Sequence, residues 1–105
     1  MSRFTRNQIE AFMEIGRGTA REIDENTWVM NIGPFFVMRV TKMDDGEYEA
    51  FCADDDYDVQ AVRRDKSLFN AVQGALYEYK VQSMAVTEAL KCIDDIPDKD
   101  IERLA

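Results

Sequence analysis

The sequence contains no histidine and has only two cysteines and two prolines. Without histidine, the chain lacks the side chain that most often acts as a general base near neutral pH, and it lacks the commonest zinc ligand. It also has no histidine-activated nucleophile, no glycine-rich phosphate loop and no nucleophile elbow. These absences argue against an enzyme and against a cofactor, and they leave carboxylate chemistry as the remaining route to a catalytic or metal site.

The two cysteines and the short apolar runs bear on the compartment. Cys52 and Cys92 lie forty positions apart among apolar neighbours, which favours a reduced pair, with a disulfide as the alternative. The longest apolar run covers only residues 34–38, too few to cross a bilayer, and the N-terminus is charged where a signal peptide would be apolar. We therefore predict a cytoplasmic protein with a single domain over residues 1–105.

Basic residues are too few to balance the acidic ones, and the net charge is −8. Residues 1–43 carry six basic and five acidic side chains, whereas residues 44–105 carry seven basic and sixteen acidic ones. Residues 44–58 hold eight carboxylates and no lysine or arginine. Affinity for nucleic acid or for an anionic membrane requires the opposite sign of charge. The sequence therefore predicts a basic protein partner, without direct binding to nucleic acid or membrane.

The N-terminal region predicts a helix. Thr5 followed by Gln8 is a capping-box pattern, and the apolar residues that follow recur at helical spacing. Gly16 indicates that the helix ends there, so we place it at 6–16. Residues 17–23 are compatible with a further helical turn or with a short edge strand.

The middle of the chain predicts β-strands at 27–32, 35–43 and 47–53, where strand-forming residues alternate in polarity. Asp45 and Gly46 lie between the last two strands. Both residues tolerate the positive φ angles of a type I′ turn, so we predict a hairpin of that type.

The C-terminal part predicts helices. Ser67 is a candidate cap for an apolar stripe that extends over residues 67–95. The stripe is interrupted near Gln82, so one long helix and two shorter helices are both open. Asp98 is a candidate cap for a last short turn.

These elements predict an α+β fold, in the order α-β-β-β-α with a further C-terminal helix as an option. Helices pack on one face of a small antiparallel sheet of three or four strands, the fourth strand arising from a turn at 24–26. The other face bears Arg39, Thr41, Glu47 and Glu49, and it meets solvent or a partner.

The aspartate-rich run after the third strand has two interpretations as a site. Asp54, Asp56 and Asp58 have the spacing of the first three ligands of a calcium loop. The rest of that pattern fails, because Val59 replaces the turn glycine and Asp65 replaces the bidentate glutamate. We therefore expect no metal site, and the run is either a recognition surface or a merely solvated loop.

As a recognition surface, the acidic run would imitate the phosphates of a nucleic acid. Glu47 and Glu49 on a strand project along one line, about 6.7 Å apart. The aspartates that follow extend this row, and Tyr48 and Tyr57 are candidate apolar anchors. The predicted partner-binding residues are Asp44, Asp45, Glu47, Glu49, Asp54, Asp55, Asp56, Tyr57 and Asp58.

In size, acidity, lack of histidine and α-β-β-β-α plan, the chain resembles small acidic inhibitors encoded by bacteriophages and other mobile elements, including anti-CRISPR and anti-restriction proteins. The resemblance implies inhibition of a nucleic-acid-handling complex, such as a bacterial anti-phage defence system, at its DNA- or RNA-binding surface. One alternative is an adaptor or assembly protein that binds through hydrophobic contacts, including as a homodimer. Another is a small enzyme or metal protein that uses Asp54, Asp56 and Asp58.

Overall fold

The computed structural model describes residues 3–33, 36–54, 59–82 and 87–105. These residues form helices and strands in the order α-β-β-β-β-β-α-α-α. The elements are α1 (Arg6–Gly16), β1 (Arg21–Asp24), β2 (Thr27–Asn31), β3 (Phe36–Lys42), β4 (Tyr48–Asp54), β5 (Gln60–Asp65), α2 (Leu68–Val81), α3 (Thr87–Asp94) and α4 (Asp98–Glu102).

The five strands form one antiparallel sheet in the order β1-β2-β3-β4-β5. Each strand pairs with the next along the chain, so the sheet is a meander of hairpins. The predicted α+β class is confirmed, and the predicted strand count of three or four is close to the observed five.

The two edge strands account for the difference in strand count. All four residues of β1 are exposed, so its sequence has no alternation in polarity, and 17–23 stays open between helix and strand on sequence alone. In β5, most side chains are exposed as well, and Ala61 is the buried one. Both segments are strands because their backbones pair with β2 and β4, a tertiary effect that polarity patterns do not report.

One edge strand of the sheet, β1, is irregular, and a backbone carbonyl of the other, β5, is bound by a side chain. In β1, the register shifts between Glu22 and Asp24. In β5, the Gln60 carbonyl oxygen accepts a hydrogen bond of 2.7 Å from Nε2 of Gln82.

Helix α1 has the predicted bounds, and its start is set by local chemistry. The Gln8 amide donates to Thr5 Oγ1 at 3.1 Å, and the Thr5 amide donates to Gln8 Oε1 at 2.9 Å, which completes the capping box. The helix ends at Gly16, and Arg17 adopts a left-handed φ of 48° as its C-terminal cap.

The C-terminal segment is divided into separate helices. Helix α2 is capped by the Ser67 side chain, as predicted, and ends where Gln82 takes an extended conformation with ψ of 126°. Of the two alternatives left open by the sequence, the structure therefore has separate helices, with the break beginning at Gln82, although residue 83 lies outside the described residues. The last short turn is also present as α4, but its N-cap is Pro97, so the predicted capping by Asp98 is wrong.

The hydrophobic core lies on one face of the sheet. The inward positions of β2, β3 and β4 are fully or almost fully buried beneath α1 and α2. Tyr79 of α2 packs edge-on against Phe36 of β3, with ring centroids 4.9 Å apart. The outward positions include Arg39, Thr41 and Glu49, as predicted, and Thr41 lies opposite Glu49 across β3 and β4. The predicted packing of helices on one face is thus confirmed, and among the described residues Arg39 on the other face is exposed.

The cysteines are both free, which agrees with the predicted reduced pair. Cys52 lies at an inward position of β4 and is fully buried. Burial raises the pKa of its thiol far above the usual range, so Cys52 is unreactive as a nucleophile.

The β3–β4 hairpin has a different turn from the one predicted. The Gly46 amide donates to the Met43 carbonyl at 3.1 Å, and the Met43 amide donates to the Glu47 carbonyl at 2.7 Å. Gly46 has a φ of 89°, whereas Asp45 does not have a positive φ. The connection is therefore a three-residue loop that ends in a glycine bulge, and the predicted type I′ turn is wrong.

Candidate acidic interface

The predicted partner-binding residues are divided between the two ends of β4. Asp44, Asp45 and Glu47 lie at the β3–β4 hairpin, before the strand begins. Asp54 is the last residue of β4 and pairs with Phe36 at the start of β3. At about 3.4 Å per residue, the strand separates its two ends by about 20 Å. The described carboxylates of the acidic run therefore do not form one continuous patch.

Asp54 is fully buried, although its sequence neighbours are carboxylates. It occupies an inward position of β4, two residues after the buried Cys52. Its Oδ2 accepts a hydrogen bond of 2.9 Å from the Val59 amide. The Asp54 amide also donates to the Val59 carbonyl at 3.4 Å. Its burial corrects the expectation that Asp54 belongs to a surface: its carboxylate instead ties the end of β4 to the start of β5.

Asp55, Asp56, Tyr57 and Asp58 lie outside the described residues. The calcium-loop alternative falls mostly on the same segment. Within the described ranges, no group of three or more aspartate, glutamate or cysteine side chains is placed to hold a metal ion.

The carboxylates of the β3–β4 hairpin are exposed and lie close to arginines. The Asp44 side chain is fully exposed, with Oδ1 3.7 Å from Nη1 of Arg3. Asp45 Oδ1 accepts from the Glu47 amide at 3.0 Å, which supports the turn. Nη2 of Arg64 lies 3.1 Å from Asp45 Oδ2 and 3.6 Å from Glu47 Oε1, so β5 supplies a cation to the hairpin.

Glu49 projects from the outward face of β4, next to the same cation. Its cross-strand neighbours are Thr41 on β3 and Arg64 on β5. One arginine therefore lies among three carboxylates of the predicted set, namely those of Asp45, Glu47 and Glu49.

Two further carboxylates join this end of the sheet from the β1–β2 turn. The Lys42 amide donates to the Asn26 carbonyl at 2.8 Å, and the Arg3 amide donates to the Glu25 carbonyl at 2.8 Å. These bonds hold the β1–β2 turn beside the β3–β4 hairpin. We define the acidic edge as the exposed or half-exposed carboxylates of both turns and of the strand end: Asp24, Glu25, Asp44, Asp45, Glu47 and Glu49.

Sequence reasoning missed Asp24 and Glu25 as site residues. A signal was available, because alternate turns of an antiparallel meander lie at the same end of the sheet. That signal requires β1 to be recognised as a strand, which its sequence does not decide.

The acidic edge keeps an excess of negative charge. The described contacts place three cations beside it, Arg3, Lys42 and Arg64, which are fewer than its six carboxylates. Of these, Lys42 is directed to Tyr48: its Nζ lies 4.2 Å from the ring centroid and donates to the hydroxyl at 3.1 Å. Exposed ion pairs contribute only about 0.2–1 kcal/mol each, so an incoming cation competes with them easily.

Tyr48 is not the exposed anchor that the sequence predicts. It faces inward, where its ring lies 6.0 Å from that of Phe4. Burial raises the pKa of Tyr48, but hydrogen bonds from Gln8 and Lys42 and the charge of Lys42 outweigh this effect and leave the pKa below its usual 10.0.

The outward face of the sheet is partly apolar. Val62 of β5 is 46% exposed and Ile23 of β1 is 54% exposed. In register with Val62 across the sheet, the Arg39 guanidinium lies 4.7 Å from the centroid of the Phe51 ring, whereas Ile23 lies at the register shift of β1. This face offers contact area of a different chemistry from that of the acidic edge.

In the part of the chain that the structure describes, none of the helices has the length and apolar character needed to span a membrane. Comparison of the chain with protein-family models, with curated proteins and with solved structures gives no match.

Proposed function

We propose that this protein is a non-catalytic inhibitor that binds a basic protein surface through its acidic edge. The observation that supports this function most is the convergence of carboxylates from two turns and a strand end at one end of the sheet. The net charge of −8 adds a long-range field of the same sign. Such a field steers a basic partner toward the protein and accelerates the encounter.

The proposed target is the nucleic-acid-binding surface of a cytoplasmic complex, such as a bacterial anti-phage defence system. Such surfaces carry lysine and arginine to neutralise phosphates. Carboxylates at the acidic edge offer these cations an alternative to phosphate, so the bound protein excludes the nucleic acid. In this proposal the protein acts stoichiometrically and needs neither cofactor nor metal.

The test is a pull-down with the tagged protein from a bacterial lysate at low salt and again at high salt. The expected result is a basic nucleic-acid-binding complex that is released by salt and is displaced by added DNA or RNA. Recovery of a partner that resists high salt and is not displaced would contradict the proposal, because exposed charges are screened over about 8–10 Å near physiological ionic strength.

A pair of charge-reversal variants makes the test specific to the acidic edge. Glu25→Lys combined with Asp44→Lys reverses two of its exposed carboxylates. Glu14→Lys combined with Glu88→Lys makes the same change in net charge at exposed helix positions elsewhere. We expect the first variant to lose the partner and the second to retain it. Equal loss in both would mean that only net charge matters.

A second candidate function is that of an adaptor that binds through hydrophobic contacts, including as a homodimer. The exposed Val62 on the outward sheet face favours it, because outward positions of a solvated sheet are normally polar, and Ile23 adds exposed apolar surface at the edge strand β1. Its partner would resist salt, and Val62→Lys would release that partner or yield a monomer in light scattering, whereas the acidic-edge variants would have no effect.

A further inference from the structure

A groove of about 500 Å³ lies between α2 and the C-terminal helices α3 and α4. The groove and the acidic edge are built from different elements, so a role for the groove is independent of the proposed function. Its volume falls within the range of about 300–1,000 Å³ that is typical of binding sites in proteins.

The floor of the groove is apolar and reaches the core. Leu76, Ile93, Ile96 and Ile101 line it. These four residues are 6–8% exposed. The inward residues of β3 and β4 are less exposed, at most 2%, apart from those at the hairpin end. The small residual exposure of these four side chains comes from surface that opens to the groove.

Tyr77 stands on the wall of the groove formed by α2. Its side chain is 67% exposed, one of the largest apolar surfaces left open in the described structure. A tyrosine that is exposed beside an apolar depression is the residue type that most often dominates binding energy at an interface, since its ring offers large area at low entropic cost.

The rim of the groove has uncompensated negative charge. Asp98 and Glu102 lie four residues apart on α4 and therefore on the same side of that helix. Neither carboxylate takes part in an ion pair among the described residues. The cation of the groove, Lys80, is already paired with Asp94 at 2.7 Å. An occupant therefore finds an apolar floor bordered by free carboxylates.

We propose that this groove binds an amphipathic helix of a partner protein, one that carries lysine or arginine beside its apolar face. A third helix laid between α2 and α4 packs its side chains into the spaces between theirs. Its apolar residues at i, i+3, i+4 and i+7 contact Tyr77 and the isoleucines of the floor, and its flanking cations pair with Asp98 and Glu102.

The experiment uses a fluorescein-labelled peptide of leucine and lysine, about 18 residues or five helical turns long, with leucines at helical spacing. The matched control peptide has glutamate in place of every lysine. We expect fluorescence anisotropy at physiological salt to report binding of the lysine peptide and none of the glutamate peptide.

Variants of the protein locate the site at which the peptide binds. Asp98→Asn with Glu102→Gln, and separately Tyr77→Ala, should each weaken the affinity by about tenfold or more, as for loss of dominant interface contacts. Glu14→Gln with Glu22→Gln removes the same charge at exposed positions outside both the groove and the acidic edge, and it should change the affinity less than about twofold. Tyr77 is exposed, so its variant should keep the fold, which circular dichroism checks.

Two results would overturn the proposal. One is an equal loss of affinity in the groove variants and in the Glu14 and Glu22 control, which would mean that the peptide responds only to net charge. The other is the absence of binding by the lysine peptide, or binding that Tyr77→Ala leaves unchanged, which would remove the groove as a site.

Discussion

The carboxylates at the two ends of β4 have opposite surroundings, although they belong to one acidic run of the sequence. At the hairpin end, Asp44 and Asp45 are exposed and lie beside arginines from other parts of the chain. At the other end, Asp54 is fully buried and accepts a backbone hydrogen bond from Val59. The difference shows that the face of the strand and the turn after it, rather than the local density of charge, determine what each carboxylate does.

The comparison is tested most strongly by Asp54→Ala. The substitution leaves the buried Val59 amide without this acceptor, and we expect the free energy of unfolding to fall by about 2–3 kcal/mol. Urea denaturation measures the change. Asp54→Asn retains an acceptor oxygen and should cost less. A loss below about 0.5 kcal/mol for the alanine variant would mean that the two ends of β4 are alike after all.

Arg64→Ala should have a smaller effect, because the arginine is about half exposed. Removing it takes the cation from Asp45 and Glu47, and we expect a loss of about 0.5–1 kcal/mol at low salt that shrinks at high salt. The matched control is Arg63→Ala, which breaks the exposed pair with Glu78 alone. A much larger loss for Arg64 that salt leaves unchanged would contradict this expectation, because it would mean that the arginine stabilises the fold through packing rather than through its exposed ion pairs.

Asp44→Ala should change the free energy of unfolding by less than about 0.5 kcal/mol, since the side chain is fully exposed. Its contact with Arg3 is long, at 3.7 Å. The same variant should nevertheless weaken binding to a basic partner, which separates stability from recognition at this end of β4. Thermal unfolding measured beside Asp54→Ala gives the contrast directly, and comparable losses in the two variants would contradict it.

Lys42→Met should have the smallest effect on stability at neutral pH, although it should change a titration. Lys42 helps to hold the pKa of Tyr48 below 10.0, so the substitution should raise it. A lowered pKa in the folded state stabilises the fold only above the unfolded value of 10.0 and loses that contribution as the pH falls through the folded pKa. Ultraviolet absorbance during alkaline titration measures the shift, with Tyr48→Phe to identify the signal. A midpoint unchanged by Lys42→Met would contradict the assigned cause.

The sequence predicts those parts of the fold that are determined by interactions between residues close together in the chain. The start of α1 depends on Thr5 and Gln8, three residues apart, and is predicted to the residue. The inward and outward positions of β3 and β4 follow from alternation and are also correct. The edge strands β1 and β5 owe their conformation to pairing with a neighbour, so sequence patterns leave the first undecided and miss the second.

The candidate site shows the same division. The position of the hairpin at Asp45 and Gly46 is predicted correctly, since its turn residues are adjacent in sequence, although its turn type is not. The contribution of Glu25 is not, because it requires knowing that two turns meet at one end of the sheet. The burial of Asp54 follows the alternation that buries Cys52, but the predicted strand ends one residue too early, which assigns Asp54 to the loop.

The edges of the sheet have a consequence for how the protein behaves when it is concentrated. A straight edge strand with free backbone groups is a template on which other chains add strands, the first step toward aggregation. In this protein, the register shift in β1 interrupts one edge, and the Gln82 side chain occupies the Gln60 carbonyl on the other. Arg63 and Arg64 add charge repulsion along β5. Both edge strands of the described sheet are thus poor templates for the addition of further strands, so we expect the concentrated protein to resist fibril formation.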